Sequence, residues 1–386
     1  MLVFVGLVLL VLGVIHLYLW KRLVRDTTVP GRLRRVGTGL LVVLLILPMV
    51  ALVGGRSWPM SVLRPLEWVG LVWVGVMFYI FVVLLVLELP RAALWIRVRR
   101  EDGVDPGRRL FLSRALAGTA LVLSAGAAVV GVVTATGRVP VNLVRVRLGR
   151  LDPALSGYRI AVLADVHLGP LIGRDELAEQ VRTVNAESPD LVAVVGDLVD
   201  GSVAELGEAA ETLLELRAED GIFFVTGNHE YYSGAQEWVD FLSGIGVRVL
   251  RNERVEIGRD GAAFDLAGVD DVSAAGSGEP GHGADLGAAL AGRDTSRPVV
   301  VLAHQPVLVD AAAEQGVDLQ ISAHTHGGQI WPFHYIVRLS QPALAGLSRV
   351  RETWLYVSRG TGFAGPPMRV GASPEITIIE LLSAAS

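Results

Sequence analysis

The chain of 386 residues contains no cysteine. That excludes disulfides and thiolate metal sites, so any bound metal must be held by His, Asp, Glu, Asn or backbone oxygens. Charge is scarce as well: 19% of residues are Asp, Glu, Lys or Arg against 52% hydrophobic, and the mean hydropathy of +0.49 is too high for an ordinary soluble protein. Histidine is rare, with eight in all. Internal repeats and low-complexity tails are absent from the sequence.

The missing charge is concentrated. Residues 2–20, 37–53, 68–87 and 115–136 carry no formal charge, and each run is close to the roughly 20 residues a helix needs to cross a bilayer. This predicts four transmembrane helices. Trp20, Trp58, Trp68 and Trp95 fall at or near the span ends, where indole rings favour the headgroup region. Pro48 reads as a kink tolerated in lipid, and His16, near one end of the first span, as an interfacial residue. A cleaved signal peptide fits poorly, since the first run lacks a basic leader and three more follow.

The two halves differ in sign. Residues 1–150 carry 19 Lys and Arg against 6 Asp and Glu, and residues 151–386 carry 15 against 33. Lys21, Arg22, Arg25, Arg32, Arg34 and Arg35 follow the first span, and Arg91, Arg97, Arg99, Arg100, Arg108 and Arg109 precede the fourth. By the positive-inside rule both segments face the cytoplasm, while the loop with only Arg56 and Arg64 lies outside. Everything after Thr136 is then expected to be extracytoplasmic, although Arg138, Arg145, Arg147 and Arg150 weigh the other way.

Past Arg138 the pattern becomes α/β. Residues 141–148, "VNLVRVRL", alternate like an edge strand, and helices are expected at 175–186, 204–218, 236–243 and 307–315. The Gly- and Ser-rich stretch 270–287 reads as a mobile loop.

Five apolar runs end in the same kind of residue. "YRIAVLADVH" ends in Asp165 and His167, "LVAVVGDLVD" carries Asp197, "GIFFVTGNHE" carries Asn228 and His229, "VVVLAHQP" carries His304, and "VDLQISAHTHGG" carries His324 and His326. Ligands of α/β sheets gather at the carboxyl edge of the strands. An Asp after one strand is commonly a cap or turn residue, but five such ends are a pattern. Burying these groups together without a cation would leave charge uncompensated at a cost of several kcal/mol. In extended backbone, residues i and i+2 point the same way, so Asp165 and His167 are expected to approach one ion together, and His324 and His326 each to reach toward the site. Gly196, Gly227, Gly327 and Gly328 allow sharp turns and close approach. Seven ligands suit two ions sharing a carboxylate better than one.

In order, spacing and residue type these blocks resemble the calcineurin-like metallophosphoesterase family over roughly residues 158–330. With "YVSRGTG" and "PEITIIEL" further on, they also resemble its bacterial branch in which transmembrane segments precede the domain. The resemblance implies a membrane region at 1–137 and, at 138–386, a β-sandwich of two sheets flanked by helices. It implies Asp165, His167 and His326 on one metal, Asn228, His304 and His324 on the other, and Asp197 bridging. His229 would be catalytic, sitting over the substrate to stabilise phosphoryl oxygens or protonate the leaving oxygen. Two departures stand out: Glu230 where the family often has Asp, and Ala323 where Gly is common. A role for Glu230 in orienting a ligating His survives the longer side chain. Asp200 reads as a cap or turn residue, and Arg359 and Arg369 as surface or structural residues rather than a clamp on an anionic substrate.

The expected activity is hydrolysis of phosphoester or pyrophosphate bonds at the membrane, on lipid-linked or cell-envelope substrates. The two divalent ions are Mn, Fe, Zn, Ni or Co, among which the ligand set does not choose. Nothing in the sequence indicates a nucleic-acid partner. A non-catalytic sensor or scaffold would have lost a ligand or His229, and none is lost. A transporter would want ionisable residues inside the spans.

Overall fold

The computed structural model describes residues 2–54, 60–98, 105–259 and 261–384. The chain divides into two compact units, Met1–Val133 with Gly365–Met368, and Thr134–Ala364 with Arg369–Ser386.

The first unit is helical, with helices at Leu2–Leu19, Arg32–Gly54 and Met60–Val98 and most of a fourth at Pro106–Thr136. Among the described residues three helices, not the four expected, are long and apolar enough to cross a membrane: Arg32–Val50, Val62–Ala93 and Pro106–Thr136. The first expected span forms the helix Leu2–Leu19, but several side chains in its first half lie outside the described ones. Arg56, Trp58, Arg99 and Arg100 also lie outside them, as do the side chains of Trp95 and Arg97. His16 is buried: its Nδ1 lies 2.8 Å from the Leu12 carbonyl and its Nε2 accepts from the Trp73 indole at 3.2 Å. Charged groups cluster beside the apolar runs, where Arg22 pairs with Asp26 and Glu88, and Arg91 also pairs with Asp26.

The second unit has twelve strands: β1 (Val141–Leu148), β2 (Tyr158–Leu163), β3 (Leu191–Val195), β4 (Ile222–Val225), β5 (Arg248–Val249), β6 (Glu253–Arg259), β7 (Ala262–Gly268), β8 (Val299–Leu302), β9 (Leu319–Ser322), β10 (Gly346–Val350), β11 (Thr353–Val357) and β12 (Ile376–Ser383). They form two six-stranded mixed sheets, ordered β1-β12-β2-β3-β4-β5 and β10-β11-β9-β8-β7-β6. In the first sheet β2 to β5 run parallel and β12 opposes β2; in the second β11, β9, β8 and β7 run parallel, with β10 and β6 antiparallel at its edges. The alternating segment 141–148 is an edge strand, as expected.

Parallel strands buried on both faces read as unbroken apolar runs, and β3, Leu-Val-Ala-Val-Val, is buried throughout. Its two faces do different work. Ala193 and Val195 join Ile160, Val162 and Val225 in one core with Phe264, Leu266, Val300, Leu302 and Ile321 of the second sheet. The period of two then directs alternate residues of the second sheet outward, where Ala267, Val299 and Val301 pack with the helix Leu286–Leu290 and Ala312.

Helices form near the expected places, at Arg174–Ala186, Val203–Ala210, Ala235–Gly244 and Val309–Glu314. The second is shorter than expected, passing into a 3₁₀ turn at Glu211–Glu215. The stretch 270–287, expected to be mobile, is tied down instead. Asp270 accepts from Arg251 at 3.0 and 2.9 Å and from Gly283 N, and His282 contacts the Tyr231 hydroxyl at 3.1 Å and Gln236 Oε1 at 3.0 Å.

At the centre of the sandwich Phe264 meets Tyr158 edge-on, with ring centroids 5.1 Å apart. Phe264→Ala is expected to destabilise the domain by about 3–5 kcal/mol, read as a lower unfolding midpoint of the detergent-solubilised chain. An unchanged midpoint would place the core elsewhere.

Candidate metal centre

The carboxyl ends of β2, β3, β4, β8 and β9 converge, and each passes into a turn that carries the polar residues. Asp165, His167, Asp197, His324 and His326 all adopt positive φ, between 50° and 70°. These side chains therefore project from left-handed loop backbone beyond the last strand residue. The expectation that extended i, i+2 alternation aims them together is thus corrected: β2 ends at Leu163 and β9 at Ser322, before the residues in question. Left-handed backbone is costly for residues with a Cβ and persists where surroundings enforce it.

Asp197 lies at the middle. Its Oδ2 is 3.1 Å from His304 Nε2 and 3.9 Å from the Nε2 atoms of both His167 and His229. Asp165 Oδ1 is 4.0 Å from His304 Nε2 and 3.9 Å from His326 Nε2, and its carboxylate accepts from His324 N. Three sets could hold a metal ion, each with ligand atoms within 4.8 Å of one another: Asp165, His167 and His326; His167, Asp197 and His229; and Asp197, His304 and His324. Asn228 follows β4 at the start of the short helix Asn228–Ser233, flanked by neighbours that both touch Asp197.

Two buried atoms test whether a cation fits. Asn228 Oδ1 and His304 Nε2 have no hydrogen-bond partner. The His304 case is specific, because Nδ1 lies 2.8 Å from the Val195 carbonyl, which can only accept. In the neutral ring Nε2 is then a bare lone pair aimed at a carboxylate oxygen. Such an arrangement calls for a positive charge between the two, either a proton or a metal. His167 Nε2 and His326 Nε2 are likewise 3.1 Å apart, so one holds a proton; an ion bound to both Nε2 atoms would require that proton to leave and the Arg369 contact at His326 Nδ1 to rearrange.

Electrostatics divides the imidazoles. Burial opposes charge on His304, but Asp197 outweighs it and raises the pKa well above the usual value; reciprocally, and against its own burial, Asp197 is held well below the carboxylate range by His304. Burial, reinforced by His304, lowers His324 to about 3, and burial with Arg369 lowers His326 well below its usual value. His324 and His326 are therefore neutral at pH 7, as metal ligands must be. Burial raises Asp165 to about 6.

Supports for these groups come from residues to which the sequence reading assigned other roles or none. Asp200, expected to be a cap or turn residue, accepts from two rings, His167 Nδ1 at 3.1 Å and His229 Nδ1 at 2.6 Å. The signal was its place three residues after Asp197. Glu230 does not orient a histidine; it braces the Asp197 turn, accepting from the backbone N–H groups of Asp197, Leu198 and Gly227 at 2.6 to 3.0 Å. Arg369 is buried, donating to the carbonyls of Gly362 and His326 and to His326 Nδ1. Arg359 pairs with Glu375 at 2.7 Å. Neither arginine is a free anion clamp. Gly196, at φ +72°, leaves room for His304 and Gly227, since a Cβ there would meet His304 Nδ1 at 2.6 Å and Gly227 Cα at 2.7 Å.

Residues 158–328 match the family model described as calcineurin-like phosphoesterase. The chain is 38% identical over 400 residues to a transmembrane protein with metallophosphoesterase domain from Danio rerio, covering 97% of this chain and 88% of that protein. Its likeness to the Bos taurus protein of the same description is 40% over 300 residues, covering 75% and 67%. A metallophosphoesterase of Campylobacter jejuni is 31% identical over 389 residues, covering 98% of each.

Glu230→Ala would leave four buried N–H groups, those of Gly227, Asp197, Leu198 and Val199, without this acceptor at about 1–3 kcal/mol each. The variant is expected to unfold at a distinctly lower temperature than wild type and to retain less metal after dialysis, measured by calorimetry and elemental analysis. Wild-type values for both would remove the bracing role.

Proposed function

Because the chain belongs to the calcineurin-like metallophosphoesterase family, among relatives that carry transmembrane segments, we propose that it is a membrane-anchored hydrolase of phosphoester or pyrophosphate bonds. Residues 1–137 form its membrane region and 138–386 its catalytic domain. The observation that carries this reading is the buried Asp197 carboxylate facing His304, His167 and His229, with His304 Nε2 3.1 Å from its Oδ2.

Asp165, His167 and His326 would hold one divalent ion, Asn228, His304 and His324 a second, and Asp197 would touch both. Bound there, Mn, Fe, Zn, Ni or Co supplies Lewis acidity to phosphoryl oxygen and to water. The chain's own residues do the rest. Asp200 fixes His167 through Nδ1, which leaves Nε2 for coordination, and Arg369 holds the His326 turn through its carbonyl. His229 is more open than His167 and His304, its neighbours around Asp197. Burial opposes its charge, but the Asp200 hydrogen bond and the Asp197 charge prevail and raise its pKa to about 9. It thus carries a proton at neutral pH, with Nδ1 anchored on Asp200 and Nε2 turned toward the centre, where it protonates the leaving oxygen.

Substrates on lipid or in the cell envelope suit a site carried beside a bilayer. The basic segments 21–35 and 91–109 are cytoplasmic by the positive-inside rule. The span Pro106–Thr136 then delivers the catalytic domain to the opposite side, a conclusion that needs no crossing by the helix Leu2–Leu19.

Purified protein loaded with Mn or another divalent metal is expected to hydrolyse phosphomonoesters, phosphodiesters or lipid-linked pyrophosphates. Asp197→Asn should lower kcat/KM by more than about a hundredfold and reduce bound metal; full activity in that variant would refute the bridging role. Protease added to right-side-out membrane vesicles is expected to remove residues after Thr136, and protection of that domain would reverse the orientation.

A further inference from the structure

Resting on the phosphoesterase reading above, we propose that the exposed segment 331–339, which includes the helical turn His334–Val337, docks on the bilayer that holds the chain's apolar helices, bringing lipid-borne phosphates to the metal centre. The loop leaves directly from the turn His326–Gly328. Its start is pinned where Trp331 N donates to the Val370 carbonyl at 2.9 Å. Beyond it the chain returns to the centre twice, with Gln341 bonded to Gln305 beside His304, and the Leu344 carbonyl accepting from Thr325 between His324 and His326. Both feet therefore stand next to proposed ligands.

The crest is apolar and open. Trp331, Phe333, Tyr335, Ile336 and Leu339 are exposed by 52, 45, 61, 57 and 87% respectively, within nine consecutive residues. Single exposed hydrophobics are ordinary, but a contiguous group of this kind marks an interaction surface. Its composition is that of a membrane interface, with Trp and Tyr suited to the headgroup layer and Leu and Ile to the acyl boundary.

Charge favours the bilayer as occupant. The half of the chain from residue 151 onward carries 33 acidic residues, yet none lies between Asp318 and Glu352, a stretch that includes the exposed Arg338. A segment without carboxylates adds no repulsion of its own toward anionic headgroups. Residues 137–140 alone connect the helix ending at Thr136 to β1. Fully extended, such a link spans at most about 14 Å.

The absence of cysteine permits a direct test. Leu339→Cys and, as a second site, Tyr335→Cys are labelled with a nitrobenzoxadiazole fluorophore in the full chain, reconstituted in vesicles of phosphatidylethanolamine and phosphatidylglycerol containing doxyl-labelled lipid. Glu352→Cys, in the β10–β11 turn at the other end of its sheet, is the aqueous control. The label at 339 or 335 is expected to be quenched at least twofold more than the label at 352. Quenching equal to the control at both positions overturns the proposal, including the case in which a protein partner covers the loop instead. Quenching is read without turnover, so it supports docking even in a protein inactive on every ester; equal quenching in an active enzyme rejects docking and leaves the hydrolase reading intact.

Discussion

The Asp197 carboxylate is removed from water and surrounded by imidazole nitrogens, and a buried anion of this kind is costly unless positive charge sits beside it. Every other feature of the sheet edge serves that requirement. His304 supplies charge as a proton or lends its lone pair to a metal. Glu230 and Gly196 hold the turn that presents the carboxylate, and Gly227 gives it space, since a Cβ there would meet Asp197 Oδ1 at 2.3 Å. The constraint extends to the strands: β3 and β4 pair in parallel through Val195 and Val225, which delivers the two turns at the same height.

Five proposed ligands in left-handed backbone constitute a store of strain that a looser scaffold would release. What opposes release is hydrogen bonding of the turns to one another rather than within themselves. Asp165 N donates to the Gly196 carbonyl and His167 N to the Asp197 carbonyl, while Ala323 N donates to the His304 carbonyl. Each turn is thus fixed by the next strand's turn, and the sandwich core beneath fixes the strands. Rigid placement of several ligands follows from packing, without any dedicated metal-binding loop.

Much of this was legible in the chain because strand ends and ligand types coincide. Apolar runs of four to six residues terminating in Asp, Asn or His announce both the sheet and its functional edge, and the structure brings Asp165, His167, Asp197, His304, His324 and His326 together. What escaped depends on contacts made across the fold. Asp200 is an ordinary turn residue until His167 and His229, 33 and 29 residues distant, are seen to share its oxygen. Arg369 looks like a surface cation until the loop that contains Gly362 closes over it. The period-two argument reached the right grouping by the wrong geometry, since periodicity describes strands and says nothing of the turns after them. The tying of 270–287 by Asp270 and His282 was hidden for a related reason: glycine and serine content reports local freedom, not the partners that remove it.

A domain rich in carboxylates that is proposed to act on anionic esters must solve an electrostatic problem, for its own field would repel such a substrate. Positive charge has to be local. Arg369 and Arg359 do not provide it at the surface, because buried Arg369 is spent on carbonyls and Arg359 on Glu375. The proposed metals and the protonated His229 provide it at the reacting phosphorus, and the carboxylate-free stretch between Asp318 and Glu352 lowers repulsion along the approach. Attraction confined to one edge discriminates by position: an ester held at that edge meets the cations before the acidic remainder of the domain. The same distribution gives the apolar helices their basic flanks and leaves the metallophosphoesterase domain acidic, so the two halves of the chain meet opposite demands, one set by the bilayer and the other by the proposed phosphate chemistry.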